Sequence, residues 1–134
     1  QSIFKTYLDI GEENQLPVFV PKEVAVHFDK SFPKPENVVI VENMYMALPN
    51  LEFKDWSDYY VNVIENLKPG LNEIIVHLGY DDKEMQQITI EHPNYGSKWR
   101  NLDMDVVSSE SFKQAIEKNN IKLVTWREIQ KVIY

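Results

Sequence analysis

Four short apolar runs, near residues 17–20, 38–41, 73–77 and 121–125, alternate with stretches whose apolar residues recur every three or four positions. Runs of four or five residues suit a strand, and the longer periodic stretches between them suit helices. Strands joined by helical crossovers predict a parallel sheet with flanking helices. Val38-Val39-Ile40-Val41 is the clearest strand, β-branched throughout as expected of one covered on both faces, and it ends at Glu42 and Asn43. Leu16 to Pro21 is a short strand bracketed by prolines.

The helical stretches carry their own punctuation. Ile3, Tyr7 and Ile10, with Phe4 and Leu8, form one face that runs into Gly11. Trp56, Tyr60, Val63, Ile64 and Leu67 follow Asp55, an expected N-cap, and Pro69-Gly70 stops that helix. Ser108 or Ser109 can cap a helix that turns Phe112, Ala115 and Ile116 inward. Thr125-Trp126-Arg127-Glu128 matches a capping box, which predicts a last helix with Trp126, Ile129 and Ile133 on its buried side. Residues 21–35 read as a loop with one strand turn at 24–28, and 79–105 as a long excursion without regular periodicity. Long loops in compact domains are usually functional or disordered.

At 134 residues with 43% apolar content, the chain has material for one core and hardly for two, so residues 1–134 read as a single domain or fragment. The net charge of −7 and the scattered Lys22, Lys30, Lys34, Lys54, Lys68 and Lys83 argue against nucleic acid or an anionic membrane as partner. No apolar run approaches the ~20 residues needed to span a bilayer. There is no cysteine, hence no disulfide framework and no thiolate nucleophile, and this by itself assigns no compartment. A helical pattern already running a few residues after Gln1 reads as a piece of a longer protein.

The chemistry gathers after the third strand. Leu71 to Asp82 is an apolar run that delivers His77 to a rim of Gly79, Tyr80, Asp81 and Asp82. An imidazole at the carboxyl end of a parallel strand suits proton transfer or metal binding, and equally a half-buried structural role. Gly79 permits a sharp turn or a close approach of backbone to a ligand. Asp82 is best explained as a helix cap. Glu91-His92-Pro93 adds a carboxylate and a second imidazole. Trp99-Arg100 could stack a sugar and hold an oxyanion, or could simply pack and pair at the surface. His77, His92 and Glu91 have no specific metal-ligand spacing, so no metal residues are assigned. His27 is most simply a surface residue.

Leu67 to Asp81, then Glu91-His92-Pro93, Trp99-Arg100 and Ile121 to Ile129, resemble the C-terminal part of the YdjC-like carbohydrate (polysaccharide) deacetylases, and Tyr7 to Val18 is similar to a helix and strand past that family's mid-barrel. The resemblance implies the C-terminal half of a (β/α) barrel-like fold. It also implies a divalent metal, zinc or magnesium, held in the parent protein by an aspartate and two histidines, and removal of an acetyl group from an N-acetylated oligosaccharide or polysaccharide. The family's metal-ligand motifs lie upstream and are not in this sequence, so Gln1 would fall just past the last of them. This chain alone is then expected to hold no tightly bound metal and to be inactive. His77 corresponds to the histidine of a His-Pro-Gly-like strand-end motif, with Leu78 in place of proline, and is implied to be catalytic. Arg100 matches an arginine implied to orient a carboxylate or the substrate. Tyr80, Asp81, Glu91, His92, Trp99 and, at another strand end, Glu42 are substrate-binding candidates. The alternative is a noncatalytic carbohydrate-binding or interaction domain on the same scaffold. Half a barrel would expose raw sheet edges, through which copies could self-associate.

Overall fold

The computed structural model describes residues 3–29 and 32–134. Lys30, one of the scattered lysines, and Gln1 lie outside the described residues. The fold is mixed α/β. Helix α1 (Ile3–Glu13) is followed by β1 (Val18–Pro21), α2 (Lys22–Ala25), β2 (Val38–Val41), β3 (Asn43–Met46), α3 (Trp56–Glu65), β4 (Asn72–Ile75), α4 (Lys83–Ile88), α5 (Ser97–Ser108), α6 (Glu110–Lys118) and α7 (Trp126–Ile133). β1 and β2 pair in parallel, Val18 opposite Val38 through Pro21 opposite Val41. β3 and β4 form a second two-stranded sheet. Both sheets are small and open, and the described residues close no barrel.

The described residues divide into two compact units. The first comprises Gln1–Met44, Pro69–Glu73 and Leu123–Tyr134, the second Tyr45–Lys68 and Ile74–Lys122. Leu8, Val18, Val20 and Val38 are buried in the first, and Phe4, Phe28 and Phe32 pack around them. Gly11 lies inside α1 rather than ending it. A Cβ there would come within 2.0 Å of Val18 Cγ2, so the absence of a side chain lets the helix lie on β1. Gln15, with φ 52°, makes the left-handed turn after the helix.

The second unit is built on α3, α5 and α6, whose Trp56, Tyr60, Ile64, Trp99, Val106, Phe112 and Ala115 are buried together. Ser109 caps α6, its hydroxyl accepting from the Phe112 amide. α3 begins without a side-chain cap, because the turn Phe53–Asp55 runs straight into it.

Four expectations fail for physical reasons. Residues 121–125 form no strand: among the described residues no strand pairs with them, and Leu123 is 73% exposed. The expected four-stranded parallel half-barrel therefore loses its last strand. α7 has its full capping box, yet buries none of its residues. Trp126 meets Phe19 edge-on, and Gln130 Nε2 donates to the Gln15 carbonyl at 2.6 Å. Residues 79–105 hold two helices, and the turn expected as strand at 24–28 begins with α2 instead. α5 escaped the apolar periodicity because its buried stripe, Trp99, Asp103 and Val106, has a carboxylate in the middle.

Candidate functional site

Asp103 is fully buried, and three donors converge on it. Trp56 Nε1 and the Tyr60 hydroxyl reach Oδ1 at 2.8 and 2.9 Å, and the backbone N–H of His77 reaches Oδ2 at 2.7 Å. Burial and the Asp103 hydrogen bond push the Tyr60 phenol well above its usual pKa of 10.0, so it remains a donor. These bonds tie a loop residue two positions past β4 to the helical core. The link is polar and desolvated, and removal of any partner leaves the others unsatisfied.

The His77 ring is held on two sides. Nδ1 is buried without a hydrogen-bond partner and lies 3.9 Å from Asp103 Oδ2, too far for a hydrogen bond. The side chain is 29% exposed, so its open edge is the one that carries Nε2. Tyr95 covers it with ring centroids 4.8 Å apart, and the same ring rests 4.5 Å from Trp99. Tyr95 has φ 63°, a left-handed conformation that is rare for a bulky residue and needs outside support. Arg100 supplies it, Nε donating to the Tyr95 carbonyl at 2.9 Å.

The other sequence candidates distribute around this centre. Gly79 closes against the Arg100 and Met85 side chains, where a Cβ would meet Arg100 Cβ at 3.3 Å, so its close approach serves packing. Tyr80 is exposed on the same loop. The Asp81 amide donates to Asn101 Oδ1 at 3.1 Å, and its carboxylate accepts from Gln86 Nε2 at 2.9 Å. Hydrogen bonds from Gln86 and Ser97 hold that carboxyl below its usual pKa. Asp82 caps α4 through the Met85 amide, as its position suggested. His92 and Trp99 line a cleft of about 340 Å³ with Phe53, Ile90 and Lys98, and His77 is not among its walls. Glu91 is exposed beside it.

Trp99 is 3% exposed, with its ring against Trp56 and Tyr95, which is the packing alternative of its sequence reading. Glu42 belongs to the first unit, where it pairs with Lys22 and raises that ammonium above its usual pKa of 10.5. A Cβ on Gly70, with φ 122°, would press on the same Glu42 side chain at 2.8 Å.

Sequence reasoning missed Asp103 and the part that Tyr60 plays beside it. Asp103 lies four residues after Trp99 and three before Val106, so a carboxylate sits in register with an apolar face. That signal was available, since a buried carboxylate is always partnered.

The residues present do not fit the divalent metal that the resemblance implies. Among the described residues no group of three His, Asp or Glu side chains could hold an ion. Asp103, the carboxylate nearest His77, already accepts three hydrogen bonds from fixed donors.

A profile of the family described as "YdjC-like protein" matches residues 1–118 of the 134. No curated protein matches the chain.

Proposed function

Since the chain belongs to the YdjC-like family, which is related to carbohydrate deacetylases, we propose that it supplies part of the site of a metal-dependent deacetylase acting on N-acetylated sugars, as the C-terminal portion of a longer protein with a barrel-like fold. The observation that carries this reading is His77, which follows a strand end, is pinned by its backbone to a buried carboxylate, and keeps one ring edge open. Metal ligands belong to sequence beyond this chain in this reading, and no step is routed through the ion.

Water adds to the acetyl carbonyl, the C–N bond breaks, and the amine nitrogen must receive a proton as it leaves. His77 Nε2, on the open edge, takes up a proton from the medium before the bond breaks and gives it to that nitrogen, which returns the ring to its neutral form. Tyr95 walls the ring on one side. Arg100 acts through Tyr95, as a positioning residue whose Nε is committed to the loop carbonyl. Tyr80 and Asp81 share the loop after His77, where an aromatic face and an ionised acceptor suit a sugar ring and its hydroxyls. Glu91 and His92, beside the cleft, and Glu42 rank below them.

The second reading, a noncatalytic carbohydrate-binding domain using Tyr80 and Tyr95, is favoured by the lack of a ligand triad among the described residues. Kinetics separate the two. In the intact parent protein, acting on an N-acetylated oligosaccharide, His77→Ala should lower kcat by ~10²–10⁴ with KM nearly unchanged, the signature of an interaction made in the transition state. His77→Asn should not rescue, because an amide cannot transfer a proton at neutral pH. Near-normal kcat in His77→Ala would reduce the histidine to a structural or binding role.

A further inference from the structure

We infer that Asp103 is the positioning residue that sets the tautomer of His77, holding the proton on Nδ1 and leaving Nε2 free on the open edge of the ring. The inference deepens the proposed function and rests on that reading for its catalytic meaning, though its geometry stands by itself. Asp103 Oδ2 already holds the His77 backbone N–H at 2.7 Å, which fixes where the ring begins. From there Nδ1 lies 3.9 Å from the same oxygen, in a buried position where no other described group bonds to it.

A neutral imidazole has one ring nitrogen with a proton and one with a lone pair. A lone pair on Nδ1 would face a carboxylate oxygen across a desolvated gap and be repelled. An Nδ1–H is attracted across the same gap, and low dielectric magnifies the difference. The other oxygen of Asp103 is committed to Trp56 and Tyr60, so the carboxylate cannot rotate away without orphaning two buried donors. Nδ1 therefore keeps the proton and Nε2 exchanges protons with whatever enters the rim. A shift of about 1 Å would bring Nδ1 and Oδ2 into hydrogen-bond range, and contacts of this kind often tighten only when substrate is bound.

The test is nitrogen-15 NMR of the imidazoles in this full chain at a pH where His77 is neutral. The wild-type spectrum should show His77 in the Nδ1–H form, whereas an unconstrained histidine prefers Nε2–H. Asp103→Asn removes the negative charge that repels a lone pair on Nδ1, and the tautomer should shift toward Nε2–H. Tyr60→Phe removes one donor from Oδ1 but leaves Oδ2 in place, so it should retain the Nδ1–H form. If Asp103→Asn does not fold, the wild-type spectrum still decides: His77 in the Nε2–H form overturns the inference. A switch in Tyr60→Phe as complete as in Asp103→Asn also overturns it, since general packing would then be the cause. Deacetylase activity does not enter this readout, so failure of the proposed reaction and failure of the tautomer assignment are seen separately.

Discussion

The two compact units are stabilised by different means. In the first, Leu8, Val18, Val20 and Val38 close over one another with phenylalanines around them. Such a core is non-directional and depends on volume, so neighbours can shift to refill it. In the second, Trp56, Tyr60 and His77 meet at one buried carboxylate, and the aromatic rings stand edge to face around it, Trp56 to Trp99 at 4.6 Å and 82°. Its hydrogen bonds have length and direction, so only one arrangement satisfies them. An apolar core suffices to hold a strand pair. Holding a loop histidine in one orientation takes a directional core, and the second unit is where such a histidine sits.

The largest expected effect tests that contrast at its centre. Asp103→Ala leaves three buried donors without an acceptor, each costing ~1–3 kcal/mol and not adding in full, so the second unit should lose about 3–5 kcal/mol in urea unfolding followed through Trp56 and Trp99. A loss below about 1 kcal/mol would mean that water or rearranged side chains satisfy those donors. In the first unit, Leu8→Ala should cost about 2–4 kcal/mol as a cavity, while Leu8→Met should cost under about 1.5 kcal/mol because volume is conserved. Equal costs for these two would show that the first core is as shape-specific as the second.

A smaller effect comes from Tyr60. Its pKa is raised in the folded protein, so the neutral form contributes stability that is fully present below 10.0 and is lost as pH rises toward the folded value. Alkaline titration should therefore weaken the second unit progressively above about pH 10, and Tyr60→Phe should flatten that decline while lowering stability at neutral pH by ~1–2 kcal/mol. Identical alkaline profiles for the two proteins would contradict the buried hydrogen bond.

How much of this was legible in sequence follows the same division. Features that depend on neighbours in the chain were readable: β2 at Val38–Val41, the Ser109 cap, and the capping box of Thr125 and Glu128. β1 and β4 fell within a residue or two of their expected spans. Features that depend on distant partners were not. The run at 121–125 is apolar and β-branched like a strand, but no strand pairs with it among the described residues. α7 is amphipathic, yet none of its residues is buried, and Trp126 meets Phe19 edge-on while 43% exposed. At the site, His77 was legible from its place after an apolar run. Asp103 showed only as a carboxylate in register with an apolar face, and its partners, donors 26, 43 and 47 residues away, did not show at all. Trp99 illustrates the limit well: an aromatic beside an arginine is more often core than sugar platform, but only burial distinguishes the two.

Hydrogen exchange at the His77 backbone amide tests the central claim, that a buried carboxylate ties this loop residue to the core. That N–H points into a fully buried oxygen at 2.7 Å. It should be protected to about the level of the amides within α3, while the neighbouring amides of Leu78 and Tyr80 on the open rim exchange far faster. Exchange of His77 at the rate of those rim amides would contradict the account, leaving the histidine on an ordinary loop.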